Sequence, residues 1–310
     1  MFAARAILVS LGFLAALYCL LSLLVVCVWN GWNRLRRPAT FDSPGLLFAL
    51  RVFPLAASTL FTLAFALPAF LHLESGAIDE DSGTMIFLCC FVLFFLAGLL
   101  RILSAQRKSS QVAGEWLDGA RVVGENSGAL TVADHEGVPP LVLIGLSRAR
   151  VLISNAAFSM LSGNELRVAL RHELEHRRSR DNLKKLVLHG ATFPGMASLE
   201  NAWKEAAELA ADERAVSTQA EALDLAGALV KLAELTPLRE PPLLTTALVT
   251  SSSAVALRIQ RLLAWQENKA SHTTIQYYLF PLMLAAILAA AANYGWALLL
   301  THRITEWFIH

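Results

Sequence analysis

The chain has 310 residues, of which 55% are hydrophobic and 16% charged, with a formal net charge of +1. That balance, with a mean hydropathy of +0.51, excludes an ordinary soluble domain and predicts a membrane protein with no nucleic-acid partner.

The apolar residues come in four blocks, at about 6–29, 46–73, 85–103 and 275–300. Each is long enough to cross a hydrocarbon layer of about 30 Å, so four transmembrane helices are expected. The first block is too long for the apolar core of a signal peptide and lacks a small-residue cleavage site, so it reads as an anchor. Arg34, Arg36 and Arg37 follow the first span, and Arg107 and Lys108 follow the third. Short basic loops stay in the cytoplasm, which puts both ends of the chain outside. The loop between the second and third spans holds Glu74, Asp79, Glu80 and Asp81, as an external loop can. The expected division is three spans in residues 1–103, a cytoplasmic domain in 104–274, and the fourth span with a short tail in 275–310.

Cys19, Cys27, Cys89 and Cys90 all fall in predicted spans, so neither a disulfide framework nor a thiolate metal site is expected. Arg51 and Arg101 lie near cytoplasmic span ends, where a long side chain can snorkel to water. With no acidic residue or histidine in mid-membrane, a proton-coupled transporter is disfavoured.

In the polar segment, short β-branched runs at 121–123, 129–132, 141–144 and 151–153 alternate with Gly, Asn and Pro. They predict a small antiparallel sheet. From Ser162 onward the period becomes helical, with helices expected over about 163–189, 198–218, 220–235 and 253–266. Pro237, Pro241 and Pro242 mark the loop before the last.

The first of these helices carries His172-Glu173-Leu174-Glu175-His176. Residues four apart share a helix face, so both imidazoles can reach one metal ion while Glu173 stands beside it. Ser162-Gly163-Asn164-Glu165 reads as a capping box that starts the helix. Two histidines leave zinc short of the three protein ligands of a catalytic site. The next helix offers Glu200, Glu205, Glu208, Asp212 and Glu213. Glu208 and Asp212 are four apart, so one can bind metal while the other accepts a hydrogen bond from a ligand histidine. Ala206, Ala207, Ala210, Ala211 and Ala215 would let the two helices approach closely. Asp134, His135 and Glu136 read as a polar turn and His189 as a helix end, without metal-ligand spacing to other residues.

His172 to His176, then Arg180-Asp181-Asn182-Leu183, then Glu208, Asp212 and Ala215, then Arg258-Ile259-Gln260-Arg261-Leu262-Leu263, resemble the integral-membrane zinc metallopeptidases of the BlaR/MecR type, the β-lactam sensor-transducers. The CAAX-prenyl protease and HtpX types share part of this pattern. The likeness runs from about Pro139 to Leu263. It implies a gluzincin-like fold: a mostly α membrane protein with an α+β zincin-like peptidase domain inserted between the third and fourth of four spans, in a bacterial inner membrane. It also implies His172, His176 and Glu208 as zinc ligands, Glu173 as the catalytic carboxylate, Asp212 as an acceptor behind a ligand histidine, and Arg258 as a charge partner near the site. No domain-sized segment is expected after the fourth span and no Ser-x-x-Lys motif occurs, so the external sensor domain of those receptors is expected to be lacking.

The expected activity is zinc-dependent endopeptidase cleavage of protein substrates at the cytoplasmic membrane face, in signal transduction by regulated proteolysis or in HtpX-like or CAAX-protease-like processing. A signal from outside would arrive through the spans or a partner membrane protein. A non-catalytic zinc-stiffened scaffold is the rival, but it would need no general base beside the first histidine and would prefer a fourth ligand. A channel or carrier would need polar residues or broken helices in the spans.

Overall fold

The computed structural model describes residues 2–35, 43–69, 82–123, 130–134, 137–146, 149–235, 245–247 and 252–266, with positions 293, 295–296, 299–300 and 303–304. It divides into two compact units. One comprises Met1–Leu35, Val52–Ala97 and Lys269–His310, and the other Arg36–Arg51 and Gly98–Asn268.

In the first unit, α1 (Phe2–Leu35) and the later turns of α2 (Pro44–Phe61) are rich in Leu, Val and Phe. Pro44 opens α2 where a missing N–H is no loss, and Pro54 lies within it. A π-helical turn at Thr62–Ala66 follows. Phe13 stacks on Phe61 with ring centroids 5.7 Å apart. Among the described residues two helices are long and apolar enough to cross a membrane, Ser10–Arg34 and Pro44–Ala69. They overlap the first two predicted spans, 6–29 and 46–73. The third predicted span falls inside α3 (Ser82–Leu117). The fourth, like most of the acidic loop and the C-terminal tail, lies outside the described residues apart from a few positions.

The second unit holds a mixed sheet. Its strands are β1 (Arg121–Val123), β2 (Leu130–Ala133), β3 (Leu141–Ile144), β4 (Arg150–Ser154) and β5 (Thr245–Ala247), in the order β1-β2-β4-β3-β5. The four predicted strands are present, but the sheet is not wholly antiparallel. β3 and β4 pair antiparallel, and β2 lies on the far side of β4, parallel to it. Two reversals of direction between β2 and β4 make that pair parallel. Periodicity marks a strand but not its neighbour. β5, from the stretch read as a loop, pairs antiparallel with the outer edge of β3, Leu143 opposite Thr246.

Alternation along the strands sends side chains into two cores. Leu141 and Leu143 of β3, with Val151 and Ile153 of β4, enter the larger one. Val142, Ile144 and Leu152 enter a second, which includes Trp116 near the end of α3. β3 is thus buried on both faces, which is why it reads as an unbroken apolar run.

The larger core is closed by helices α4 (Asn155–Met160), α5 (Gly163–Ser179), α7 (Ala197–Ala215), α8 (Gln219–Glu234) and α9 (Ser252–Leu263), while Leu186 of α6 (Asp181–Gly190) packs with Ala105 of α3 in a small cluster of its own. The predicted capping box of α5 is present. Ser162 Oγ accepts from the Glu165 N–H at 3.3 Å, and Glu165 Oε2 accepts from the Ser162 N–H at 2.8 Å. The same carboxylate pairs with Lys231 of α8 at 2.7 Å. Val168 and Ala169 of α5, and Leu225, Ala228, Leu229 and Leu232 of α8, are fully buried.

The helix expected over 163–189 is broken. Arg180 adopts φ 55 and ψ 40, in the left-handed region, so α5 ends there and α6 sets off in a new direction. Without glycine or proline at the corner, the pattern carries no stop signal. Arg51 does not snorkel. It is 1% exposed and pairs with Glu200 of α7 at 2.8 Å, because a carboxylate and a carbonyl stand where it emerges from α2. Cys19 and Cys27 are free thiols.

Candidate metal centre

The buried stripe of α5 runs through Glu165, Val168, Ala169, His172, Glu173 and His176. Its first two turns pack into the core, and the next two carry the polar groups of the site. Helix spacing stacks the two imidazoles, with Nε2 of His172 and Nε2 of His176 3.0 Å apart. Both residues are at most 1% exposed. α7 packs on this face, and Ala206, Ala207, Ala210, Ala211 and Ala215 are all buried, as close approach requires. α7 brings Glu208 Oε2 to 3.5 Å from His172 Nε2, and Oε1 to 3.5 Å from His176 Nε2. One donor atom from each of His172, His176 and Glu208 lies within 4.8 Å of the others. This group can hold one cation.

Behind each histidine stands a carboxylate. Asp212, one turn beyond Glu208, has Oδ1 2.9 Å from His172 Nδ1, off the line of an ideal hydrogen bond. Asp181 Oδ2 is 2.7 Å from His176 Nδ1 in a buried hydrogen bond. Arg258 of α9 clasps Asp212 with Nε at 2.7 Å and Nη2 at 2.6 Å, and its Nη1 lies 3.1 Å from Glu208 Oε2. A planar fork serving two carboxylates uses the geometry that distinguishes arginine from lysine.

Asp181 is in place because of the corner at Arg180. On a continuous helix a residue five positions after His176 would point about 140° away from it. Asn182, next in line, donates to the carbonyls of Gly145 at 2.9 Å and Leu143 at 3.4 Å, tying the start of α6 to β3. Neither role can be read from the sequence. The carboxylate after the second histidine is visible there, but its reach is not.

Glu173 is fully buried and neither carboxylate oxygen has a hydrogen-bond partner. Burial pushes its pKa up to about 7, against the opposing charges of His172 and His176. At His176 burial acts downward, but the charge of Glu208 and the bond to Asp181 outweigh it and raise the pKa to about 10. Burial opposes ionisation of Glu208, yet His176 and Arg258 hold its carboxyl well below the usual range. Asp212 is likewise lowered despite burial, chiefly by Arg258. Lys185, half-buried one turn beyond Asp181, has its pKa lowered by burial, which Glu208, Asp181 and Glu173 counteract. It too escaped sequence reasoning, being one of two adjacent lysines on a charged helix.

The residues fit a divalent cation. Two imidazole nitrogens facing each other at 3.0 Å call for a shared proton or cation, and two imidazoles with one carboxylate are a common donor set for zinc. Glu175 lies outside the group and pairs with Arg178 and Arg214. Asp134 and His189 do not join it, and His135 and Glu136 lie outside the described residues.

The profile of the BlaR1 peptidase M56 family matches residues 84–262, more than half of the chain. The chain belongs to this family. The match starts in α3, ends in α9 and includes every residue of the centre. None of the curated proteins compared with the chain matches it. Membership in the BlaR1 peptidase M56 family makes the chain a peptidase, and the two long apolar helices among the described residues agree with association with a membrane.

Proposed function

We propose that the chain is a zinc-dependent endopeptidase that hydrolyses protein substrates at the cytoplasmic face of a bacterial plasma membrane, in signal transduction by regulated proteolysis. In this reading four spans anchor it, at about 6–29, 46–73, 85–103 and 275–300. The peptidase domain, 104–274, lies in the cytoplasm and both termini lie outside. The observation that carries the reading is the convergence of His172, His176 and Glu208 on one point beside a buried, unpartnered Glu173.

His172, His176 and Glu208 would hold the ion, which when bound supplies a Lewis acid to polarise the scissile carbonyl and to make the attacking water acidic. Asp212 and Asp181 hold the two imidazoles so that their Nε2 atoms face inward, and Arg258 fixes Asp212. Glu173 takes the proton from the water and returns it to the leaving amine. Burial favours its protonated form and the positive charges around it its ionised form, and a carboxyl held between the two gives up and accepts a proton with little penalty. Lys185 adds positive charge near Glu173, favouring its ionised form.

The test is zinc content and proteolysis in parallel. Glu173→Gln should bind zinc and cleave nothing, whereas His172→Ala and Glu208→Ala should lose both. Expressed as a trap, Glu173→Gln should accumulate an uncut membrane-associated protein that wild type degrades. Proteolysis at the wild-type rate by Glu173→Gln would end this assignment.

A further inference from the structure

Arg51 belongs to α2, far in sequence from the metal centre, yet it touches the junction of the two helices that carry the centre's acids. Its Nη2 donates to the Ala191 carbonyl at 2.6 Å and its Nε to Glu200 Oε1 at 2.9 Å. Ala191 is the residue on which α6 ends, and Glu200 lies in the first turn of α7. One guanidinium thus closes the 191–196 connection from both sides. Phe48, one turn earlier on α2, packs its ring against the buried Trp203 of α7, 6.2 Å between centroids, and Lys184 of α6 sits 5.8 Å above the same ring.

α3 grips the same connection. Gly98 lies so close to α6 that a Cβ there would come within 2.7 Å of the Gly190 carbonyl. Arg101 donates to Thr192 Oγ1. Beyond this junction α6 carries Asp181 and α7 carries Glu208 and Asp212. Glu208 stands eight residues from Glu200, about 12 Å along the axis. A tilt of α7 by roughly 5° about its first turn would displace the Glu208 carboxylate by about 1 Å, half the length of a zinc–oxygen bond.

We propose that Arg51 is a positioning residue for the metal centre: by bridging Ala191 and Glu200 it fixes the angle between α6 and α7 and so sets the spacing of Glu208 from the two histidines. The proposal rests on the reading of His172, His176 and Glu208 as metal ligands. Helices α2 and α3 are thereby given a direct hold on metal affinity. Arginine suits the task because its fork reaches a carbonyl and a carboxylate together, which a single ammonium cannot do with the same rigidity.

The test uses the full chain in detergent, with zinc dissociation measured by competition against a chromophoric chelator and ligand geometry followed by the visible spectrum of the cobalt-loaded protein. Arg51→Ala and Glu200→Gln should each weaken zinc binding by about tenfold or more, the range seen when residues that orient ligands are removed, and should change the cobalt bands. Arg51→Lys should fall between them and wild type. Lys231→Met, which breaks the Lys231–Glu165 pair on α8, is the control for general stability. It should lower Tm and leave zinc affinity and the cobalt bands unchanged.

A folded Arg51→Ala with wild-type zinc affinity overturns the proposal, as does loss of zinc in Lys231→Met in proportion to its Tm. If Arg51→Ala does not fold, Glu200→Gln decides in the same way. A wild-type protein that takes up no zinc would instead overturn the metal reading beneath it.

Discussion

Arg258 reaches Asp212 through two nitrogens at once, Nε at 2.7 Å and Nη2 at 2.6 Å, both buried. Asp212 lies in turn against His172, so α9 stiffens a histidine on α5 through an acid on α7. Removing the guanidinium leaves a buried carboxylate without its counter-charge and free to turn. Arg258→Ala should therefore weaken zinc binding by about 10- to 100-fold, and Arg258→Lys by less, in a chelator competition assay. Equal affinity in all three proteins would show that Asp212 needs no such support.

Asp181 supports the other histidine. Asp181→Ala should leave His176 Nδ1 unpaired and lower zinc affinity by about tenfold or more. Asp181→Asn, which keeps an acceptor but not the charge, should lose less. Zinc titration of both variants checks the order, and the reverse order would contradict it.

The buried charge of Glu173 has a consequence for the metal-free protein. Its folded pKa of about 7 lies above the ordinary value of 4.5, so the fold favours the protonated acid. The stability this group contributes is full below about 4.5 and is lost as pH rises through about 7. At pH 8 the penalty is on the order of 3 kcal/mol, since each tenfold change in proton affinity is worth about 1.4 kcal/mol. Metal-free Glu173→Gln should accordingly melt at a higher temperature than metal-free wild type at pH 8, with the gap shrinking toward pH 5. Identical melting at pH 8 would contradict the burial argument.

Lys185 lowers the Glu173 pKa by its charge. Lys185→Met should therefore raise that pKa and move the acid limb of the kcat/KM profile to higher pH, without loss of zinc. A limb that stays in place, read from peptide cleavage between pH 5 and 8, would remove Lys185 from the site.

Much of the centre was legible because helix spacing is rigid. Once Ser162 and Glu165 mark the start of α5, the face shared by Val168, His172 and His176 follows from 3.6 residues per turn, and the four-residue step from Glu208 to Asp212 places a second acid on one face of α7. The break at Arg180 was hidden, since left-handed backbone is paid for by tertiary contacts rather than signalled by residue type. The roles of Asp181 and Asn182 were hidden with it. Strand neighbours were equally opaque: Thr245 to Ala247 carries no apolar pattern of its own and becomes a strand because β3 offers it an open edge. The burial of Arg51 is equally invisible in the sequence, because its partners, Glu200 and Ala191, come together only in three dimensions.

Arg180 itself is testable. A side chain held at φ 55 costs about 1 kcal/mol relative to glycine. Arg180→Gly should be neutral or stabilising by up to about that amount. Arg180→Val, whose branched side chain is excluded from this region, should lose about 1–2 kcal/mol and part of its zinc affinity, measured by thermal melting and metal titration.

That corner also bears on protein engineering. A His-Glu-x-x-His step grafted onto a straight helix would bring two imidazoles and a carboxylate but no anion to steady the second ring, because the supporting acid arrives by a change of direction. The smallest transplantable piece is the stretch from His172 to Asp181 with its bend, and a scaffold chosen to receive it must leave room for a chain that turns.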